Sequence, residues 1–545
     1  MAGVSQLSGL TLAGIISQWA TEKPDFVVLT VEGAGVREDE TRSYAQSWEK
    51  GQSLAAGLHK LGLKPGDMVG TLLANHAEFV DLMVAGSLLG VALVPIDPRT
   101  KGDKLIYMLA AAGCKGVIAG DYALPEMLAV RESVTGLQWI VGLPTDEGKA
   151  TTAQLQAAGV RPYGEVAGTD YRGIDFPGSD ADSPMELIYT SGTTGDPKGI
   201  VLTHRRYCET SKIAPVLFGF KPDERLYSGL SLTHANAQVI TLGTSLVNAI
   251  PCVLSRRFSK SRLWDITRKY GCTNFTLLGG MTTAIYAEPP KTNDADNPVR
   301  SIISAGMPAA IWNEFRERFN VGLYEFYGAA EGGLTGNPPG VGPVGSIGKP
   351  IPSLDHRLVD DDGKDIEKDA NGERTGEILF RHKDGTPFKV EYYGNPEASA
   401  KKCAGGWLHM GDVVREDANG WLYFLFRKGN GIRRNGDFIN AAFIEKVIAE
   451  SPDVDDVYVY GIPAANGVPG EKDVVAAVVP KHADLTAFDV QGLYRQCRQK
   501  LEANFVPSYI QVLAQIPKTA SEKPQDRFLI EALESNPGAV HQEAR

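Results

Sequence analysis

The chain has 545 residues, 43% of them hydrophobic and 22% charged, the composition of a soluble globular protein too long for a single core. A formal net charge of -11 speaks against the broad basic surface that nucleic acid requires. The six cysteines, Cys114, Cys208, Cys252, Cys272, Cys403 and Cys497, lie far apart, so neither a disulfide framework nor a zinc cluster is expected, and a reducing compartment fits.

The first residues show no cationic segment leading into an apolar core, so no signal peptide is expected. The longest apolar stretch, 82–96, is broken by Gly86, Ser87, Gly90 and Pro95 and flanked by Asp81 and Asp97. That pattern excludes a membrane span. It predicts a buried helix ending near Gly90 and a strand over 91–95, and the location expected is cytoplasmic.

In chain order, the apolar spacing predicts a helix over 43–61, a strand over 68–73, a helix over 77–89, a strand over 92–94, a helix over 101–112 and a strand over 115–119. The alternation implies βαβ units around largely parallel sheets. The same rhythm returns at 187–189, 251–254, 274–278 and 302–304. Over 344–426 short β-like runs (356–359, 376–380, 421–426) alternate with turns such as Asp361-Asp362-Gly363, which predicts a β-rich subdomain. The Lys428-Gly429-Asn430-Gly431 stretch reads as a hinge. Beyond it, a compact α+β pattern carries helices near 441–450 and 490–504. The expected organisation is an α/β protein: an N-terminal domain over 1–426, a hinge at 427–431 and a small mobile domain over 432–545.

The densest local signal is Leu187-Ile188-Tyr189-Thr190-Ser191-Gly192-Thr193-Thr194-Gly195-Asp196-Pro197-Lys198-Gly199. An apolar strand runs into a loop of hydroxyls and glycines that ends on a lysine. Glycines let backbone amides close on an anion, hydroxyls add donors and lysine adds charge, which is chemistry for a polyphosphate. The Gly-Lys-Ser/Thr ending of a Walker A loop is absent.

This loop resembles the signature of the adenylate-forming enzymes, the superfamily of acyl-CoA synthetases, nonribosomal peptide synthetase adenylation domains and firefly luciferase. Tyr189 to Gly199 agrees with it at every defined position. Other motifs follow in the family's order: Ser304-Ala305-Gly306-Met307-Pro308, Tyr327-Gly328-Ala329-Ala330-Glu331, Gly345 to Pro350, Tyr393-Gly394-Asn395-Pro396-Glu397, Gly406 to Asp412, Arg427, and Pro517 to Lys523. The resemblance spans roughly 10–529. The segment His234-Ala235-Asn236-Ala237-Gln238, the Gly280-Met281 pair and Ile432-Arg433-Arg434 look like the carnitine/crotonobetaine-CoA ligase branch.

The resemblance implies roles. Thr190, Ser191, Gly192, Thr193, Thr194, Gly195 and Lys198 would hold the β- and γ-phosphates of ATP, while Ala305, Gly306, Tyr327 and Gly328 would pack near adenine. Glu331 would hold Mg2+, and Asp412 and Arg427 would reach the ribose. Lys523 would be the catalytic lysine, with Lys518 the alternative. Gly429 stands at the hinge position, and Gly436 lies in the loop that swings in for the thioester step, with Glu445 closing it. Arg433 and Arg434 either serve coenzyme A phosphates or form a solvated pair. His234 either gates the substrate tunnel or is structural. Two departures stand out: Ala330 replaces a threonine near the α-phosphate, and Glu522 replaces a glycine before the lysine. Gly279, Gly280, Gly332 and Gly333 suggest room for a ring or branched acid.

The activity implied is an ATP-dependent carboxylic acid:coenzyme A ligase, as in fatty acid metabolism, acting as a monomer or homodimer. The alternatives are an adenylating enzyme with an amine or carrier-protein acceptor, a non-catalytic nucleotide sensor, and a phosphoryl-transfer ATPase.

Overall fold

A computed structural model describes residues 9–190, 197–428, 431–434, 437–439, 441–465, 472–519, 522 and 524–542, without the side chains of Arg433, Asp437, Phe438 and Ala442. The chain divides into two compact units. Unit 1 comprises Met1–Ser259, Ile266–Thr276 and Lys389–Lys401; unit 2 comprises Lys260–Asp265, Leu277–Phe388 and Lys402–Arg545.

Unit 1 is built on a seven-stranded sheet. Its order is Arg161–Pro162, Trp139–Leu143, Cys114–Gly120, Met68–Leu72, Ala92–Pro95, Pro184–Thr190 and Lys198–Thr203. Every pairing is parallel except the last. Strands covered on both faces need apolar side chains throughout, and Met68–Leu72 and Trp139–Leu143 are buried at every residue. The core beneath them includes Leu72, Val94, Leu109, Val117 and Leu187.

The helix predicted over 43–61 spans Tyr44–Lys60. Ser43 and Gln46 close its N-terminus as a reciprocal capping box. The helix Ala77–Leu89 ends on Gly90 at φ 68°, a left-handed turn that suits glycine and sends the chain into Ala92–Pro95. The apolar stretch 82–96 is therefore helix, turn and strand. Among the described residues no helix is long and apolar enough to cross a membrane, and all six cysteines are free thiols. A further group of unit 1 strands sets Cys252–Leu254 parallel to both Leu226–Ser228 and Val27–Val31, with Glu40–Ser43 antiparallel at the edge.

Among the described residues, unit 2 contains three larger strand systems and the short antiparallel pair Arg433–Arg434 with Asp437–Phe438. Ser301–Ala305 runs parallel to Gly322–Ala329, which pairs antiparallel with Gly332–Asn337. Leu354–Val359, Arg374–His382, Leu408–Glu416 and Leu422–Arg427 form an antiparallel sheet. This is the β-rich stretch predicted over 344–426. The C-terminal body has a sheet ordered Val454–Pro463, Lys472–Pro480, Tyr509–Val512 and Val540–His541. The helices Ala441–Ala449 and Val490–Lys500 contribute Ile444, Ile448, Leu493 and Tyr494 to one of its cores. The chain is thus an α/β protein with a large N-terminal part of several sheets and a smaller C-terminal part with a mostly antiparallel sheet.

Candidate active site

The phosphate-loop candidate is the connection of a β-hairpin at the edge of the seven-stranded sheet. Thr190, the last residue of Pro184–Thr190, pairs with Lys198, the first of Lys198–Thr203. The Thr190 hydroxyl donates to the Lys198 carbonyl at 3.5 Å. Ser191, Gly192, Thr193, Thr194 and Gly195 lie outside the described residues. The strand below the loop is anchored by the Tyr189 hydroxyl, which donates to the Met108 carbonyl at 2.7 Å. Burial pushes the Tyr189 phenol above its ordinary value, so it stays neutral.

The free edge of the hairpin is covered by Glu391 to Tyr393, the stretch that leads into the motif Tyr393 to Glu397. The Tyr393 amide donates to the Gly199 carbonyl at 2.8 Å, and the Val201 amide donates to the Glu391 carbonyl at 2.9 Å. Pairing of this kind stops an edge strand from joining another chain. The Lys198 ammonium is 5.4 Å from the centre of the Tyr392 ring, within cation–π range.

His234 also lies in unit 1, just ahead of a π-helix over Asn236–Gly243. Its Nδ1 accepts from the Asn236 amide at 3.1 Å, and its backbone carbonyl accepts from the Gln238 amide at 3.1 Å. The ring is half-buried and fixed in orientation. The i→i+5 bonding of the next segment displaces one residue from a regular helix, a feature that sequence periodicity does not encode.

In unit 2, Ala305 ends the strand Ser301–Ala305 and Gly306 follows at φ 103°, a conformation open to glycine. The Gly306 amide donates to Glu325 Oε1 at 2.6 Å, and the Met307 amide reaches the same carboxyl at 3.1 Å. Glu325 is buried, and burial pushes its carboxyl up to about 8 against those two amide donors. Sequence reasoning missed this residue. Its one signal is an acid within the apolar run Leu323-Tyr324-Glu325-Phe326.

That strand continues to Tyr327, whose hydroxyl donates to Asp412 Oδ2 at 2.6 Å. Arg427 Nε lies 3.2 Å from Asp412 Oδ1, because Asp412 and Arg427 are opposite one another on neighbouring antiparallel strands. Phe424 adds a ring 6.5 Å from that of Tyr327. Burial, with the Asp412 charge beside it, holds the Tyr327 phenol well above its ordinary value, so it remains a donor.

Gly328 and Ala329 end one strand and Gly332 begins the next, so Ala330 and Glu331 form a two-residue turn at the hairpin tip. Glu331 is 4.0 Å from the Lys402 ammonium, and the two side chains are 11% and 14% exposed. Lys402 Nζ also donates to the Met410 carbonyl at 3.4 Å, and burial lowers its pKa. Tyr327, Glu331, Lys402, Asp412 and Arg427 therefore form one cluster. Lys402 is a second residue missed in the sequence, where its only signal is its place in the run Ala400-Lys401-Lys402-Cys403 between two motifs.

One expectation is corrected, and the surroundings of two further residues are fixed. Gly279, Gly280, Gly332 and Gly333 do not leave open volume. A Cβ on Gly279 would lie 2.8 Å from the Gly306 carbonyl, on Gly332 2.8 Å from the Phe388 ring, and on Gly333 2.7 Å from Phe380. Their small size is used by close neighbours, so it says nothing about a bulky acid. Arg434 is half-buried, and its Nη1 donates to the Val506 carbonyl at 2.6 Å and the Asn504 carbonyl at 3.2 Å. Glu445 is buried inside the C-terminal body, where its Oε1 accepts from the Val459 amide at 2.9 Å and burial pushes the carboxyl up to about 8.

Lys523, Gly429 and Gly436 lie outside the described residues. The alternative lysine, Lys518, is engaged with Asp456 Oδ2 at 2.5 Å. Beside Lys523, Glu522 adopts φ 58° in the left-handed region, in the place where the resemblance expects glycine. Its amide donates to the Thr519 carbonyl at 3.0 Å, and Lys518 bridges to Pro524 across the turn.

Comparison with known proteins gives consistent results. A 27% identical relative is the crotonobetaine/carnitine–CoA ligase of Escherichia coli O157:H7, aligned over 85% of this chain and 88% of its own. The medium/long-chain-fatty-acid–CoA ligase FadD17 of Mycobacterium tuberculosis is 28% identical over 89% and 91%, and human long-chain fatty acid transport protein 1 is 28% identical over 95% and 82%. The crystal structure of the anthranilate CoA ligase AuaEII with anthranoyl-AMP superposes with a TM-score of 0.80 at 22% identity, covering 97% of this chain and 98% of that one; this likeness concerns the fold. Residues 16–386 match the model of the AMP-binding enzyme family, and 444–523 match that of the AMP-binding enzyme C-terminal domain. With both strands of the hairpin, Pro184–Thr190 and Lys198–Thr203, and Tyr327 inside the first matched stretch, the chain belongs to the AMP-binding enzyme family.

Proposed function

We propose that the protein is an ATP-dependent carboxylic acid:coenzyme A ligase. It forms an acyl-AMP with release of pyrophosphate, then an acyl-CoA thioester with release of AMP. Family membership, the three relatives and one observation support this reading: Tyr327, Glu331, Asp412 and Arg427 form a single polar cluster although they come from distant parts of the sequence.

Asp412 keeps acceptor capacity after Tyr327 and Arg427 are satisfied, because a carboxylate offers about four lone-pair positions. Two ribose hydroxyls can therefore donate to it. Tyr327, held by that same carboxylate, presents its ring to adenine beside the Gly306 backbone. Thr190 and Lys198, at the two ends of the hairpin loop, position the leaving pyrophosphate.

Among the described residues no three acidic, histidine or cysteine side chains converge as a metal cage. The single carboxylate of Glu331 nevertheless fits Mg2+, which is ordinarily bound by one or two carboxylates together with substrate phosphates and water. When bound, Mg2+ neutralises charge on the phosphates. The substrate carboxylate attacks the α-phosphorus, and the bond to the pyrophosphate oxygen breaks. Negative charge gathers at the α-phosphoryl oxygens, where the Lys523 ammonium stabilises it. The C-terminal domain then turns about the hinge at 427–431, bringing the Gly436 loop to the site, where the coenzyme A thiol attacks the mixed anhydride. His234 borders the channel for the acid or thiol.

The test is AMP release from a panel of fatty, aryl and betaine acids, with and without coenzyme A, together with product mass spectrometry. Acid-dependent AMP release and an acyl-CoA mass are expected. Acyl transfer only to an amine or a carrier-protein thiol replaces the acceptor in this reading. Release of ADP, or nucleotide binding with no acid-dependent turnover, overturns it.

A further inference from the structure

We propose that Lys402 is a nucleotide-contacting residue whose ammonium binds the α-phosphate, supplying the polar contact that Ala330 does not. The proposal rests on the ligase reading above. Three observations carry it, and the interacting residues all belong to unit 2.

First, Ala330 and Glu331 are the two residues of one hairpin turn. A methyl group at 330 has no hydrogen bond to offer an anion beside that turn.

Second, Lys402 approaches the same turn from another part of the chain, as the last residue of the helix Pro396–Lys402. Its ammonium stops 4.0 Å from Glu331 and 3.4 Å from the Met410 carbonyl. Both contacts are long for a charge-assisted hydrogen bond, which ordinarily closes to about 2.7–2.9 Å. An ammonium carries three donors. One held at this distance from its carboxylate, with its side chain 14% exposed, keeps donor capacity for a further oxygen. A lysine serving only to neutralise Glu331 would close on it.

Third, the charged groups around Lys402 are those of the nucleotide cluster: Glu331, Arg427 and Asp412. Two carboxylates and two cations balance before nucleotide arrives. A phosphate entering beside Lys402 meets a cation that the ribose-binding pair Asp412–Arg427 does not use. Phosphate binding by a lysine is point-charge recognition, and needs proximity more than the fork geometry of arginine.

Calorimetric titration of the full chain with AMP and with adenosine, both in EDTA, tests this without turnover and without metal. Wild-type protein is expected to bind AMP more tightly than adenosine. Lys402→Met is expected to weaken AMP about tenfold or more, as loss of a hydrogen bond to a charged group does, and leave adenosine unchanged. Lys402→Arg should retain part of the preference, and adding Ala330→Thr to Lys402→Met should restore AMP affinity. Equal losses for AMP and adenosine would make Lys402 a support for the Asp412–Arg427 pair and overturn the proposal, as would an AMP affinity unchanged by Lys402→Met. If Lys402→Met does not fold, Lys402→Gln is titrated with the same outcomes. A wild-type protein that binds neither ligand would sink the ligase reading itself.

Discussion

The backbone carbonyl of Glu522 lies 3.3 Å from the position that a Cβ on Gly280 would occupy. The turn bearing the proposed catalytic lysine thus rests directly on a glycine at the start of the helix Gly279–Tyr286. A side chain at 280 would meet that backbone carbonyl, which must give by a few tenths of an ångström to admit it.

Gly280→Val is therefore expected to displace the lysine turn and slow adenylation. A misplacement of about 1 Å at a reacting group costs on the order of a hundredfold in rate. Pyrophosphate exchange into ATP should fall on that scale, whereas thioester formation from separately prepared acyl-AMP should change little. Equal loss in both half-reactions would show that Gly280 serves the pocket and not the turn.

Asp412→Asn removes the charged acceptor while leaving the Tyr327 hydroxyl and Arg427 beside it. The KM for ATP should rise about tenfold or more, since hydrogen bonds to charged groups are worth about 1.5–3 kcal/mol. The wild-type enzyme should prefer ATP to 2′-deoxy-ATP, and the variant should lose most of that preference. Steady-state kinetics with the two nucleotides checks both expectations.

Glu325 offers a pH test. Its folded-state pKa is raised from 4.5 to about 8 by burial, so the folded protein binds a proton that the unfolded chain has released over that interval. Stability from this residue is present below pH 4.5 and is lost as pH rises toward 8, at no more than about 1.4 kcal/mol per pH unit. Glu325→Gln keeps an oxygen to accept from the Gly306 and Met307 amides but cannot ionise. Its thermal midpoint should fall less than that of the wild type between those pH values. Parallel curves would show that Glu325 does not titrate there.

The left-handed Glu522 gives a stability test on the same turn. An L-residue at φ 58° costs roughly 1–2 kcal/mol relative to its usual conformations, partly offset by glycine's greater chain entropy when unfolded. Glu522→Gly should leave the melting temperature equal or higher, and Glu522→Val should lower it, because a β-branched residue suits that conformation least. Differential scanning fluorimetry of the pair decides.

Much of the architecture was legible because local physics set it. The glycine at 90 ends one element and starts another, and Ser43 with Gln46 caps a helix three residues apart. The run of hydroxyls and glycines from Thr190 also carries its chemistry on its face. What was not legible is tertiary. Glu325 and Lys402 are unremarkable letters until folding buries one against two amides and brings the other to Glu331. The glycines at 279, 332 and 333 read as empty space, yet their neighbours fill it. Arg434 reads as either a coenzyme A contact or part of a solvated pair, and only the fold shows its Nη1 donating to two carbonyls of its own domain.

The central claim is that ATP's α-phosphate is activated toward a carboxylate by an ammonium from the turn that follows Thr519. Acid-dependent exchange of labelled pyrophosphate into ATP measures that step alone. We expect exchange in the wild type, a loss of about a hundredfold or more in Lys523→Ala, as for removal of a transition-state charge donor, and near wild-type exchange in Lys518→Ala. Full-rate exchange in Lys523→Ala would contradict the account.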